Sequence, residues 1–107
     1  MEEKQTIEGV YDTLKALNIV YNQADFSRLC GKSAMWFSCL KARRLSITAD
    51  AALTLAYKLR RKARLSICPK THNRLIAISD NLFEIAEHKI ERKLAFVEQW
   101  AETNESI

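Results

Sequence analysis

Glycine and proline are nearly absent from this chain, which carries two Gly and one Pro in 107 residues. Turn-dense sandwiches and barrels need these residues at their reversals, and phosphate-cradling loops need several Gly in one turn, so their scarcity argues against both. What remains is a chain that is nearly all helix. At 107 residues it accommodates one compact domain with one appended element. A chain of this size buries about 65% of its unfolded surface, enough for a core without disulfides or a structural metal.

The three cysteines, Cys30, Cys39 and Cys68, form an odd set without a CxxC pair. They read as reduced thiols of a cytoplasmic protein, and no metal or other cofactor is implied. The N-terminal MEEKQTIEGV has no basic segment leading into an apolar run, and no stretch approaches 18 apolar residues, so neither an export signal nor a membrane span is expected. His72 and His88 stand alone, without a nucleophile or carboxylate constellation, and the chain is not expected to be an enzyme.

The net charge of +4 hides a division. Residues 1–73 carry 13 Lys and Arg against 6 Asp and Glu, whereas residues 74–107 carry 4 against 7. Between Arg28 and Lys70 the only acid is Asp50. Such density points to a polyanionic partner or to a solvated helical surface, and a motif has to decide between them.

Apolar periodicity supplies the elements. From about Thr6 to Leu17, the residues Ile7, Val10, Tyr11, Leu14 and Leu17 make a one-sided stripe, with Thr6 able to cap it and Asn18 able to end it in a left-handed conformation. A two-turn helix from Gln23 to Cys30 stops at Gly31, the residue best able to take a positive φ. Ser33 can cap a helix from Ala34 to about Arg43, with Phe37 and Leu40 inward and Met35, Ser38, Cys39 and Ala42 outward. Thr48 can cap a fourth helix reaching about Lys62, and residues 65–73, which include Pro69, read as a linker.

From Arg74 to about Glu102 the pattern is one long helix, longer than a four-helix body needs. Ile76, Phe83, Ile90 and Val97 recur every seventh residue, with Ala86, Leu94 and Trp100 on the same side. A second set, Leu75, Ile78, Leu82 and Ile85, widens the first half of the stripe. The helix either packs back across its own domain or pairs with its twin in a homodimer, and the seven-residue recurrence favours the pair, although Ser79 and Lys93 interrupt the seam.

The two short helices hinged at Gly31 resemble the helix-turn-helix of the lambda-repressor-like (XRE) family of transcriptional regulators, over about Tyr11 to Lys62. Gln23 stands where that family opens its second helix with Gln. Phe26 and Ser27 take the buried fourth and small fifth positions, Gly31 the ninth, Ser33 the eleventh, and Phe37 and Leu40 the buried fifteenth and eighteenth. The resemblance implies an all-α fold with a lambda-repressor-like bundle of four short helices in residues 1–64, to which the apolar pattern adds a linker at 65–73 and a long helix at 74–107.

It also implies a regulator that binds double-stranded DNA as a homodimer, with the helix at 34–43 in the major groove. Gln23, Lys32, Ser33, Ala34, Met35, Ser38, Cys39, Lys41, Arg43 and Arg44 are then the DNA-binding set. The seven-residue recurrence of the long helix makes Ile76, Phe83, Ala86, Ile90, Leu94, Val97 and Trp100 the expected dimerisation set. Few of the outward residues address base edges by hydrogen bonds, Ser38 being the main exception. The alternative is an interaction module on the same scaffold, docking another protein through Met35, Trp36 and Cys39.

Overall fold

Apolar stripes set the helices, and several of their ends are fixed by a residue that can be named. The computed structural model describes residues 7–105, with side chains described as far as Gln99. Thr6, expected to cap the first helix, lies outside the described residues. The elements are α1 (Ile7–Ala16), α2 (Gln23–Leu29), α3 (Trp36–Ala42), α4 (Ala49–Leu65) and α5 (Pro69–Glu105), so the described chain is all-helical.

α1 buries Val10, Tyr11 and Leu14. It closes at Asn18, whose φ of 63° is left-handed, and the Ile19 N–H then turns back to the Leu14 carbonyl at 2.9 Å. Asn22 opens α2 by accepting the Asp25 N–H on its side chain at 2.9 Å. α4 starts as expected, with Thr48 Oγ1 accepting the Ala51 N–H at 3.2 Å. The centre of the bundle is an aromatic trio, Tyr11, Phe26 and Phe37, with ring centroids 4.7 to 5.5 Å apart. Leu14, Leu55 and Leu59 are fully buried in the same core.

Three boundaries differ from the sequence reading. α3 starts at Trp36 and not at Ala34, because the Trp36 N–H bonds the Ser33 carbonyl at 3.0 Å and the chain makes one turn first; no side chain caps it. α4 runs on to Leu65. The expected linker at 65–73 shrinks to residues 66–68, because Pro69 opens α5 instead of breaking it. Proline is well suited to a first helical position, where its missing N–H would have no helical partner.

α4 and α5 form an antiparallel hairpin. The order of their cross-links shows it: His72 Nδ1 meets the Ala63 carbonyl at 2.8 Å, the Ser79 hydroxyl donates to the Ala56 carbonyl at 3.0 Å, and Lys89 Nζ donates to Ser46 just before α4 at 3.0 Å. Ala52, Ala56 and Ala63 are fully buried, and such small side chains let two helices approach closely. The side of α5 turned to the core is Leu75, Ile78, Ser79, Leu82 and Ala86, three of the four residues of the second apolar set with two small residues added, while Ile85 is half-buried beside them. Ser79 is therefore no interruption: its buried hydroxyl is satisfied by a helix carbonyl.

The expected dimerisation set is divided by this packing. Ala86 is fully buried within the chain and is not available to a partner, while Ile76 and Phe83 are half-buried. Ile90, Leu94 and Val97 stay exposed, and the Trp100 side chain lies outside the described ones. At 37 residues α5 is about 55 Å long. The molecule measures 59 × 29 × 28 Å, so the helix sets its long axis and its distal half projects from the body.

Candidate nucleic-acid interface

The geometry of α2 and α3 is fixed at the corner between them. Gly31 has φ of +79°, and a Cβ there would come within 3.2 Å of Thr54 Cγ2 on α4, so both conformation and space favour glycine. The Gly31 N–H returns to the Arg28 carbonyl at 2.9 Å and the Lys32 N–H to the Ser27 carbonyl at 2.9 Å. Ser27 is fully buried, and its Oγ accepts the Phe37 N–H at 2.9 Å. One small side chain thus lets the helices approach and satisfies a backbone donor near the start of α3, a group that would otherwise be buried without a partner.

The outward surface carries the sequence-predicted site. Ser33, Met35, Cys39, Arg43 and Arg44 are exposed, and Gln23, Lys32, Ala34, Ser38 and Lys41 are half-buried. The Ser38 hydroxyl donates to Gln23 Oε1 at 2.9 Å, joining the start of α2 to the middle of α3. With its carbonyl occupied, the Gln23 amide still has two N–H donors, and the Ser38 oxygen still has acceptor capacity. The cluster offers both hydrogen-bonding senses at one spot.

The cations differ in how free they are. Lys32 Nζ lies 3.1 Å from Asp50 Oδ2 in the first turn of α4, and Lys41 Nζ sits 5.2 Å from the centre of the Phe37 ring. Arg43 and Arg44 close α3: the Arg43 N–H bonds the Cys39 carbonyl and the Arg44 N–H the Lys41 carbonyl, each at 3.0 Å. Arg44 takes a left-handed φ of 54°, and the Leu45 N–H reaches back to the Leu40 carbonyl at 3.0 Å. The same turn that ends the helix leaves two guanidinium groups exposed.

Two pairings lay beyond sequence reasoning. The Gln23–Ser38 and Lys32–Asp50 pairs join residues 15 and 18 positions apart, and no local periodicity signals them. The basic run of α4 also divides: Arg60 bonds Asp80 at 2.9 Å and lies 4.7 Å from the centre of the Phe83 ring, whereas Arg61, Lys62 and Arg64 are exposed. Arg60, Arg61 and Arg64 border a shallow depression of about 510 Å³ with Thr54, Tyr57 and Lys58. Among the described residues, no three His, Cys, Asp or Glu side chains are grouped to hold a metal ion, and no helix is long and apolar enough to cross a membrane.

Fold and surface together define an all-helical protein with a glycine-cornered helix pair, basic at one end, and a projecting helix. The chain belongs to the family of unknown function DUF6626, whose pattern matches residues 7–101 and so takes in both the helix pair and most of α5. No curated protein and no solved structure matches it.

Proposed function

We propose that this chain binds duplex DNA through the α2–α3 unit and acts as a transcriptional regulator of the lambda-repressor-like kind. The observation that carries the reading is the half-buried Gln23–Ser38 pair beside the exposed guanidinium groups of Arg43 and Arg44. Phosphate contacts position such a protein, and base-edge contacts select sequence. In this reading Arg43 and Arg44 neutralise phosphates, with Lys32 and Lys41 recruited from their weak intramolecular partners. Gln23 anchors the start of α2, Ser38 addresses a base edge, and Ala34 and Met35 meet thymine methyl groups.

Fluorescence anisotropy with random-sequence duplex across graded salt tests this. Neutralising about five phosphates gives a log–log slope near −4 to −5. The combined Arg43→Ala and Arg44→Ala variant is expected to weaken binding to every sequence, and Ser38→Ala to shift preference more than general affinity. Unchanged binding by the double variant overturns the assignment. The second reading, docking of a partner protein on this helix, is favoured by Met35, which is 65% exposed, with Cys39 exposed beside it. Binding to such a partner would be nearly independent of salt.

A further inference from the structure

The distal part of α5 offers apolar side chains that the body does not cover. Beyond Ala86, the last fully buried residue among those described, Ile90, Leu94 and Val97 follow at spacings of four and three and are 41%, 53% and 47% exposed. At 100° per residue these three share one stripe. Its flanks differ in charge: Glu91 and Glu98 lie on one side and Lys93 on the other.

We infer that this stripe pairs, in parallel, with the same stripe of a second copy of the chain. In heptad terms Ile90 and Val97 stand at d, Leu94 at a, Lys93 at g, and Glu91 and Glu98 at e. A parallel pair sets each g residue against the following e residue of the other helix, five positions on. Lys93 then meets Glu98 of the partner subunit, and the two-fold axis makes this pair twice. An antiparallel pair sets e against e, bringing Glu91 and Glu98 of one helix against the glutamates of the other. The flanks are self-complementary in the parallel sense alone, which singles out a second copy over an unrelated helix and fixes its direction. The family pattern continues to residue 101, so the stripe lies inside the matched region. The association does not rest on DNA binding, and its tests contain no DNA.

Sedimentation velocity of the full chain, over concentrations from about 1 to 500 µM, is the direct measurement. A monomer–dimer equilibrium is expected, with dimerisation all but lost in Leu94→Glu. The decisive variant is Glu98→Lys. In the parallel pair it places like charges together twice and raises Kd on the order of tenfold, and adding Lys93→Glu restores the original affinity. In an antiparallel pair Glu98→Lys would instead tighten association. Both sites are exposed, and unchanged circular dichroism shows that the fold survives the substitutions. A wild-type chain that stays monomeric, or a Glu98→Lys variant that associates as well as or better than wild type, overturns the proposal.

Discussion

Burial pushes the Cys30 thiol up from its ordinary 9.0 to about 12, and the charges of Lys58 and Lys32 only partly oppose it. The unfolded chain therefore loses this proton near pH 9 while the folded chain keeps it to about 12. Its contribution to stability is complete below pH 9 and falls as pH rises through that window, by about 1.4 kcal/mol per pH unit. Urea unfolding of wild type and Cys30→Ala between pH 8 and about 11 should show a steeper decline in wild type, since the lysines and tyrosines are common to both. Cys68 behaves oppositely. The Thr71 N–H and hydroxyl and the Lys70 N–H, at the start of α5, hold this exposed thiol below its usual value. Alkylation of the native protein followed by mass spectrometry is expected to label Cys68 while Cys30 stays unmodified until unfolding.

The end of α3 combines a structural and a proposed functional demand. Arg44 occupies a left-handed position at which a side chain costs about 1 kcal/mol and glycine costs little. Arg44→Gly is therefore expected to stabilise the fold by about 1 kcal/mol, read from the urea midpoint, while weakening duplex binding through loss of an exposed cation. A variant that gains stability and keeps its DNA affinity would remove Arg44 from the interface. Helix ends also show what was legible in the sequence. Asn18, Gly31 and Thr48 carry their geometry in their residue type, and all three end or open a segment as read. Pro69 was ambiguous because proline both stops one helix and starts another; only the three-residue connection and the hairpin it closes distinguish the two. The α5 stripe was ambiguous for a different reason. Two apolar sets overlap in its first half, and which one faces inward depends on α4, through Ser79 and Ala56. The site followed the same division: its exposed residues were readable from helical phase, whereas the partners of Gln23 and Lys32 required the tertiary fold.

At the scale of the molecule, every fully buried side chain among the described residues lies between Val10 and Ala86. Outside the core, α5 reaches the body through the exposed Lys89–Ser46 bond, of a kind that contributes little. A chain ending after His88 is thus expected to unfold in the same cooperative transition, within about 1 kcal/mol of the full chain, while losing concentration-dependent self-association. A large loss of stability on truncation would mean that the distal helix belongs to the core after all.

The uninterrupted backbone of α5 makes it a ruler as well as a strut. No proline or glycine follows Pro69 in the sequence, so nothing punctuates the helix between its seat on α4 and its tip. Two bodies joined at their tips would hold their outer surfaces at a fixed spacing and angle. A seven-residue insertion after His88 would displace the tip by about 10 Å but turn it only about 20°, whereas a four-residue insertion would turn it about 40°. The phase of α5 thereby governs which arrangements of paired targets such an assembly can span.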